Sequence, residues 1–459
     1  MDIQEYITRT HSGNDKWFIE EVSMPYHQER IKDILDKKDY LSGQHAILNR
    51  LPEQYNGKSY EPRKIVLQYS KTILNFQTSY LLKNPVSLTG DEDTVAQFKK
   101  IYKKAKYNKI DFEILDSIVK YGSAYEYIYV EDGNIKSKLI APEDSYPVYN
   151  YKNELIAFIE YYVADFSDYY TVYYTDRVET YTNAGAGEDN FYMLDYKKNV
   201  SGLPICYKNV NELDSRFGKS DLDDFIGILD NMEDILSKFA DSFYKHHNPI
   251  PVVVGQQLKG DGLPNHIVGG GLVLDDGSDF KMVSNQLDYK SFETIYKTLK
   301  QALLDVSNTP AVSLNNTDVS NLSEVSMKLL FQLADIKAGL NERYIREGME
   351  QRFEVIVELL GRMGIVINDE QFDSLEIVFQ YSRPTNEKDI IDNLKVLSDM
   401  GAISIESILE NSPYTKDVAQ ELERLSGNGK SEVNTVVNEG GVMVDMNSDL
   451  STGNERKVG

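Results

Sequence analysis

The stretch Asn321-Leu322-Ser323-Glu324-Val325-Ser326-Met327-Lys328-Leu329-Leu330 opens a proline-free run that continues to Leu360, and its reading decides the fold. Asn321 stands where a helix cap belongs, with Glu324 as the reciprocal third residue. Leu322, Val325, Leu329, Leu333, Ile336, Leu340 and Tyr344 recur at helical spacing on one face, and Phe353, Ile356 and Leu360 are read as its continuation. About 40 residues make a helix of about 60 Å, well beyond the usual length. No heptad with systematic charge pairing runs through it, so a two-stranded coiled coil is not favoured. Such a helix needs neighbours along its whole length, which points to a large assembly.

Upstream of this helix lies a break, Ser307-Asn308-Thr309-Pro310, and a polar stretch to Ser320. Before the break the spacing predicts a helix over 289–306 and strand-and-turn structure over 250–284. A further helix is predicted over 220–247, capped by Ser220 with Asp223 as partner, striped by Leu222, Phe225, Ile226, Leu229, Leu236, Phe239 and Phe243, and stopped by Asn248-Pro249. Its roughly 28 residues would span about 42 Å. From Ala124 to Cys206 the pattern is short and β-rich, with a hairpin at Asp132-Gly133-Asn134 and a Gly-rich turn over 183–190. Residues 1–55 read as helical. A second helix is expected from Pro62 to Asn84, and a third over about 94–121, closed by Gly122. These elements predict an α+β fold. A small helical region follows over 386–425, and the tail from Ser426, rich in Gly, Asn and Ser, reads as disordered.

The 459 residues carry 49 Lys+Arg against 73 Asp+Glu, a formal charge of −24. That balance lacks the basic footprint of tight nucleic-acid binding; it suits a wall past which DNA slides, which would need to repel phosphate, and equally a protein whose acidity only keeps it soluble. The 32 Tyr against one Trp suit half-buried sheets and subunit contacts. One cysteine, Cys206, excludes an intrachain disulfide framework and reads as a packed thiol in a strand. No signal peptide is read at the N-terminus, and no window reaches the apolar length of a membrane span.

Three motifs could carry chemistry. Gly218-Lys219-Ser220 opens a helix, but Leu213 stands where a phosphate loop needs its first glycine and Asp214 would put a negative charge in the cradle. Ser220 is explained as a cap. Asp275-Asp276-Gly277-Ser278-Asp279 lacks the acidic twelfth residue of a calcium loop, Gln286 standing there, and a turn explains it better. His246-His247 and His266 have no partner at metal-ligand spacing. No Ser-His-Asp or Cys-His signature is present. No catalytic residue, metal site or cofactor is expected.

Several blocks in order resemble the portal proteins of long-tailed phages infecting Gram-positive bacteria. They are Tyr40-Leu41-Ser42-Gly43-Gln44-His45-Ala46-Ile47-Leu48, Tyr80-Leu81-Leu82-Lys83-Asn84-Pro85-Val86, Tyr121-Gly122-Ser123-Ala124-Tyr125-Glu126 with Pro142-Glu143, and Pro204 to Asn209 with Ser220-Asp221-Leu222 and Ile228-Leu229-Asp230. Gly401-Ala402-Ile403-Ser404, Glu406-Ser407-Ile408-Leu409, Pro413, Asp417 and Glu421 close the series. The resemblance implies a portal fold: an α/β wing over 1–217, a stem helix over 218–247, a clip over 248–285 and a second stem helix over 286–306. A tunnel loop over 307–320, the long helix with wing completion over 321–385, a helical crown over 386–425 and the tail over 426–459 follow.

It further implies a ring, twelve-fold in the capsid, that conducts double-stranded DNA at one vertex of the virion after assembly in the host cytoplasm. The expected partners are copies of itself, the terminase large subunit, scaffolding and major capsid proteins and a head-completion adaptor. The loop residues Asn308, Thr309, Pro310, Ser313, Asn315, Asn316, Thr317 and Asp318 would meet DNA without any cation. The clip residues Gln256, Gln257, Lys259, Asp261, Asp275, Asp276 and Lys281 would meet protein partners. The competing readings are a metal-dependent nucleic-acid-processing enzyme and a scaffold without a channel.

Overall fold

A computed structural model describes residues 2–55, 58–187, 190–246, 250–255, 277, 279–283, 288–310, 324–384, 387–415 and 418–428. The chain divides into two compact units, Met1–Pro384 and Thr385–Gly459.

The first unit begins with helices α1 (Ile3–Thr10), α2 (Trp17–Val22) and α3 (Pro25–Ser42) and the short pair β1 (Glu53–Tyr55) and β2 (Lys58–Tyr60). Helix α4 (Tyr69–Leu82), strand β3 (Ser87–Thr89) and helices α5 (Glu92–Ala105) and α6 (Tyr107–Tyr121) come next. The helix expected from Pro62 therefore starts seven residues later, at Tyr69; residues 61–68 are held extended by side chains of another helix. The single helix expected over 94–121 is two, because Lys106 takes a left-handed conformation at φ +59° between them. Gly122 closes α6 in the left-handed region, as its sequence position predicts.

The hairpin at Asp132-Gly133 joins β4 (Ser123–Glu131) to β5 (Asn134–Ile140), and β6 (Ser145–Tyr149), β7 (Leu155–Ala164), β8 (Ser167–Tyr173), β9 (Arg177–Thr182), β10 (Tyr192–Lys198) and β11 (Ile205–Lys208) follow. They form two antiparallel sheets, five strands in the order β10-β9-β8-β7-β6 and three in the order β11-β4-β5. Trp17 and Phe18 of α2 pack with Tyr146, Ile159, Tyr170 and Val172 on one face of the larger sheet. Tyr125, Ile140, Phe158 and Tyr173 form a smaller apolar cluster contributed by both sheets. The alternation of β-branched and aromatic residues is what lets each strand present one such face.

A 3-10 turn, Asp221–Asp224, leads into α7 (Ile226–His246). At 21 residues the helix spans about 31 Å, shorter than the 42 Å expected, because the Ser220 cap opens the 3-10 turn and not the helix itself. Strands β12 (Ile250–Val254) and β13 (Asp279–Val283) pair antiparallel, and α8 (Tyr289–Val306) runs back beside α7 with Phe292 stacked on Phe239 at 3.8 Å. Helix α9 (Glu324–Arg362) is the long helix, 39 residues and about 58 Å. Helix α10 (Asp369–Asp373) and strand β14 (Glu376–Val378) complete the unit, with β14 paired to β3. The main core gathers α4, α5, α6, β4, β11 and the buried face of α9.

The second unit holds α11 (Glu387–Asp399), α12 (Ile405–Asn411) and α13 (Val418–Asn428). Ser404 caps α12, and the Tyr414 hydroxyl donates to Glu387 at 2.8 Å. Helix α13 runs three residues into the stretch read as tail. Together the units are the mixed helix-and-sheet fold that the pattern predicts.

Candidate channel wall and its buried polar joints

The element of interest is the run α7, β12–β13, α8, the 307–310 break and α9. Three buried polar joints tie it to the rest of the unit.

The first sits at the entry to α7. Gly218 and Gly122 cross so closely that a Cβ on Gly218 would lie 1.9 Å from the Gly122 carbonyl oxygen, and one on Gly122 would lie 2.5 Å from that of Gly218. Asn209 N–H donates to the same Gly122 carbonyl at 2.8 Å. Ser220 Oγ accepts from Leu222 N–H and donates to the Lys120 carbonyl at 2.6 Å. Lys219 pairs with Asp224 at 2.5 Å. All three residues of Gly218-Lys219-Ser220 are thus used in building a chain crossing. Asp221, next in line, is buried between Lys337 of α9 at 2.7 Å and Asn209 at 2.7 Å. Burial pushes its carboxyl above the ordinary range, with Lys337 and Asn209 pulling the other way.

The second joint explains the late start of α4. Arg63, Ile65 and Leu67 present alternate N–H groups, which Asp241 (2.8 Å), Ser237 (3.0 Å) and Glu233 (2.7 Å) of α7 accept. Two residues of extended chain advance about 6.6 Å and four of helix 6 Å, so the two rows stay in register while running antiparallel. Glu233 also meets His45 Nδ1 at 2.6 Å, under the Tyr40 ring stacked on that imidazole at 3.8 Å. Asp241 further receives Tyr60 Oη at 2.7 Å and Arg50 at 3.0 Å. Side-chain acceptors four residues apart on α7 therefore take N–H groups that helix formation at 62–68 would have used.

The third joint lies deepest. Arg352 of α9 is fully buried, 2.5 Å from Asp111 of α6 and 2.9 Å from Glu126 of β4. Its guanidinium covers the Tyr107 ring at 4.5 Å, and Tyr207 donates to Glu126 at 2.6 Å. Tyr207 reaches this place across Gly348, where a Cβ would come 2.2 Å from its ring. Burial pushes the Asp111 carboxyl up to about 6 although Arg352 opposes the shift. Helix α9 is thereby fixed to the consecutive elements α6 and β4, more than 200 residues earlier in the chain, at one charged centre.

The face of α9 that the sequence picks out is not the one the subunit buries. Phe331, Ala334, Ala338, Asn341, Ile345, Met349, Arg352 and Ile356 face inward. Val325, Leu329, Leu333, Ile336 and Leu340 lie roughly 160° away at 100° per residue and are 68, 68, 47, 54 and 45% exposed. Phe353, Ile356 and Leu360 belong to the buried row, so they do not continue the first stripe. Beyond Leu340 the outer row turns polar, at Arg343, Glu347, Gln351, Glu354 and Glu358. Long helices with two apolar rows are hard to read from periodicity, because the rows cancel in any one-sided measure.

Of the residues expected to meet DNA, Thr309 and Pro310 are buried inside the subunit, and Asn308 is half-buried at φ +53°. Ser307 Oγ meets Thr309 Oγ1 at 3.0 Å, Gln77 of α4 donates to the Ser307 carbonyl at 3.0 Å, and Thr309 N–H donates to the Leu304 carbonyl at 2.9 Å. Thr309 and Pro310 are thus anchors at the base of the break, removed from surface contact. Ser313, Asn315, Asn316, Thr317 and Asp318, and the clip residues Gln256, Gln257, Lys259, Asp261, Asp275 and Asp276, lie outside the described residues. Lys281 falls in β13, opposite Val252. Cys206 lies in β11, and burial pushes its thiol up to about 12. Among the described residues no group of three or more His, Cys, Asp or Glu is placed to hold a metal ion, and no helix is long and apolar enough to cross a membrane.

The entry to the two-helix arm is tied through the buried Asp221–Lys337 pair to a long helix that carries a spare apolar row. A family model described as "Phage portal protein, SPP1 Gp6-like" matches residues 23–434, and the chain belongs to that family of phage portal proteins. The portal protein of Bacillus phage SPP1 is 23% identical over 396 residues, a match covering 78% of this chain and 74% of that one. Two solved structures are similar at 10% identity. The neck of an empty GTA particle computed with C6 symmetry gives a TM-score of 0.46 over 73% of this chain and 86% of that one. The virion of a native gene transfer agent particle gives 0.43 over 75% and 88%.

Proposed function

We propose that copies of this chain close into the ring at one vertex of a phage capsid through which double-stranded DNA enters and leaves. The observation that carries the reading is the second apolar row of α9, five large side chains opposite the face the subunit already buries. A row of this kind stabilises nothing in one copy and a great deal once a neighbouring copy covers it. In this reading 1–217 is a wing, α7 and α8 are the stem, β12 and β13 the base of the clip, 307–320 the tunnel loop and the second unit a crown. Ser313, Asn315, Asn316, Thr317 and Asp318 touch DNA loosely through neutral and acidic groups. Twelve copies at −24 each give a field that keeps phosphate off the wall. The clip meets the terminase large subunit and a head-completion adaptor, while the body meets scaffolding and major capsid proteins. The role is structural, in the virion after assembly in the host cytoplasm, and the motor's ATP hydrolysis belongs to another protein.

The test is the particle formed by purified protein. Negative-stain images and native mass should show closed rings with a central hole for the wild type. Leu329→Glu with Leu333→Glu and Ile336→Glu should give folded monomers with unchanged circular dichroism. Rings formed equally well by the triple variant would remove the row from the interface, and a wild type that never closes would sink the ring.

A further inference from the structure

The chain is acidic overall, yet residues 99–109 read Lys-Lys-Ile-Tyr-Lys-Lys-Ala-Lys-Tyr-Asn-Lys, with six lysines and no carboxylate. The structure places them on the second half of α5 and the corner into α6. Lys99, Lys100, Lys103, Lys104, Lys106 and Lys109 are all exposed, while Phe98, Tyr102 and Tyr107 hold the segment to the core. Lys109 pairs with Glu113 and Lys104 meets the neutral Asn134 Oδ1 at 3.0 Å. Among the described residues Lys99, Lys100, Lys103 and Lys106 form no ion pair. Of the carboxylates nearest in the chain and at the neighbouring hairpin, Glu131 is held by Lys136, Asp132 is exposed beside it, and Glu92 and Asp93 lie at the far end of α5.

Two features of this surface work against the stability of the subunit. Lys99–Lys103 and Lys100–Lys104 are like charges one helical turn apart, which destabilise a helix. Lys106 occupies the left-handed region at φ +59°, a position that glycine or asparagine would hold with less strain. The favourable interaction of a cation with the C-terminal end of α5 accounts for Lys103 and Lys104 but not for the other four.

We propose that the Lys99–Lys106 face is a second, sequence-independent contact for the backbone of double-stranded DNA, separate from the channel. No large apolar side chain is exposed between the lysines, Ile101 and Ala105 being packed against the core. A protein interface needs such anchors at its centre, whereas phosphate neutralisation needs only cations in a row. Lys99 and Lys103 stand about 6 Å apart along the helix, Lys100 and Lys104 flank them, and Lys106 follows at the corner. In an otherwise repulsive molecule this face is where duplex DNA can rest. Its place in the particle rests on the portal reading, but the binding itself does not.

The experiment uses the full chain, as purified, and a labelled 30-bp duplex of random sequence, with anisotropy followed from low to physiological salt. Each phosphate contact contributes about 0.9 to the slope of log K against log salt. Changing Lys99, Lys100, Lys103 and Lys106 to Gln should flatten that slope by about 3.6 and weaken binding at least tenfold. Changing Lys16, Lys32, Lys64 and Lys71, exposed lysines elsewhere, alters the net charge equally and should leave the slope in place. Equal slopes for the two quadruple variants would overturn the proposal. So would a wild type that ignores duplex DNA while this face captures an acidic protein. Both variants should form the same rings in negative stain, so loss of rings reports on the portal reading and loss of slope on this one.

Discussion

Arg352→Met is the perturbation whose outcome the structure specifies most fully. The substitution keeps much of the volume of a fully buried side chain and leaves Asp111 and Glu126 without their cation. Breaking a buried pair by removing one partner costs about 3–5 kcal/mol, and losing the stack on Tyr107 adds roughly 0.5–2 kcal/mol. A total near 5 kcal/mol, set against about 2.1 cal/mol/K per residue over the Met1–Pro384 unit, lowers the unfolding midpoint by about 6 °C. The pH dependence supplies the decisive sign. Asp111 is pushed up to about 6 in the folded protein, above its ordinary value. Its contribution to stability is therefore full below about pH 4 and is lost as the pH rises through 6, worth about 3 kcal/mol. Without Arg352 the Asp111 carboxyl loses the cation that opposes its protonation and favours the protonated form still more strongly, so the deficit of the variant should widen between pH 5 and pH 8. Adding Asp111→Asn and Glu126→Gln should return more than half of the loss, because neutral groups need no counterion. Near-UV circular dichroism melts at the two pH values give the measurement. A deficit that stays constant across them, or a triple variant no better than Arg352→Met, would refute the view that uncompensated charge is the cost.

Gly218→Ala and Gly122→Ala should each abolish soluble protein, since neither backbone carbonyl can retreat from the added Cβ. By contrast Lys219→Ala, which loses only an exposed pair, should change stability by less than about 1 kcal/mol. Ser237→Ala with Asp241→Asn should free the extended strap on α7, and trypsin should then cut after Arg63 and Lys64 at least several times faster in the native protein. Glu21 is fully buried. Burial alone would push its carboxyl up, but hydrogen bonds from His27, Tyr26, His11 and Tyr6 hold it down at about 2. That stabilisation, about 3 kcal/mol, is present above about pH 4 and lost as the pH falls through 2. Glu21→Gln should therefore lower the melting midpoint at pH 7, with the gap to wild type closing below pH 4.

The sequence by itself determined the element types, the long helix, the Asp132-Gly133 hairpin, the helix over 289–306 and, through the ordered blocks from Tyr40 to Glu421, the portal family. Those features rest on local rules: caps, turn residues and a single apolar period read directly along the chain. It also showed that Gly218-Lys219-Ser220 opens no phosphate loop. What only the tertiary structure decided depends on partners distant in sequence. Residues 62–68 carry a helical apolar pattern, yet Glu233, Ser237 and Asp241 claim their N–H groups and keep them extended. Lys106 breaks one apparent helix into two, since α5 and α6 pack on different neighbours. Thr309 and Pro310 look like a solvated break and are buried, because Gln77 holds the Ser307 carbonyl and the Leu304 carbonyl holds Thr309 N–H. The Arg352 centre has no signal along the chain, because Arg352 lies 226 residues from Glu126 and 241 from Asp111. Most telling is α9, whose legible stripe is the one left bare. The inner row was hidden by small and polar residues, Ala334, Ala338, Asn341 and Arg352, that only the packed neighbours make sense of.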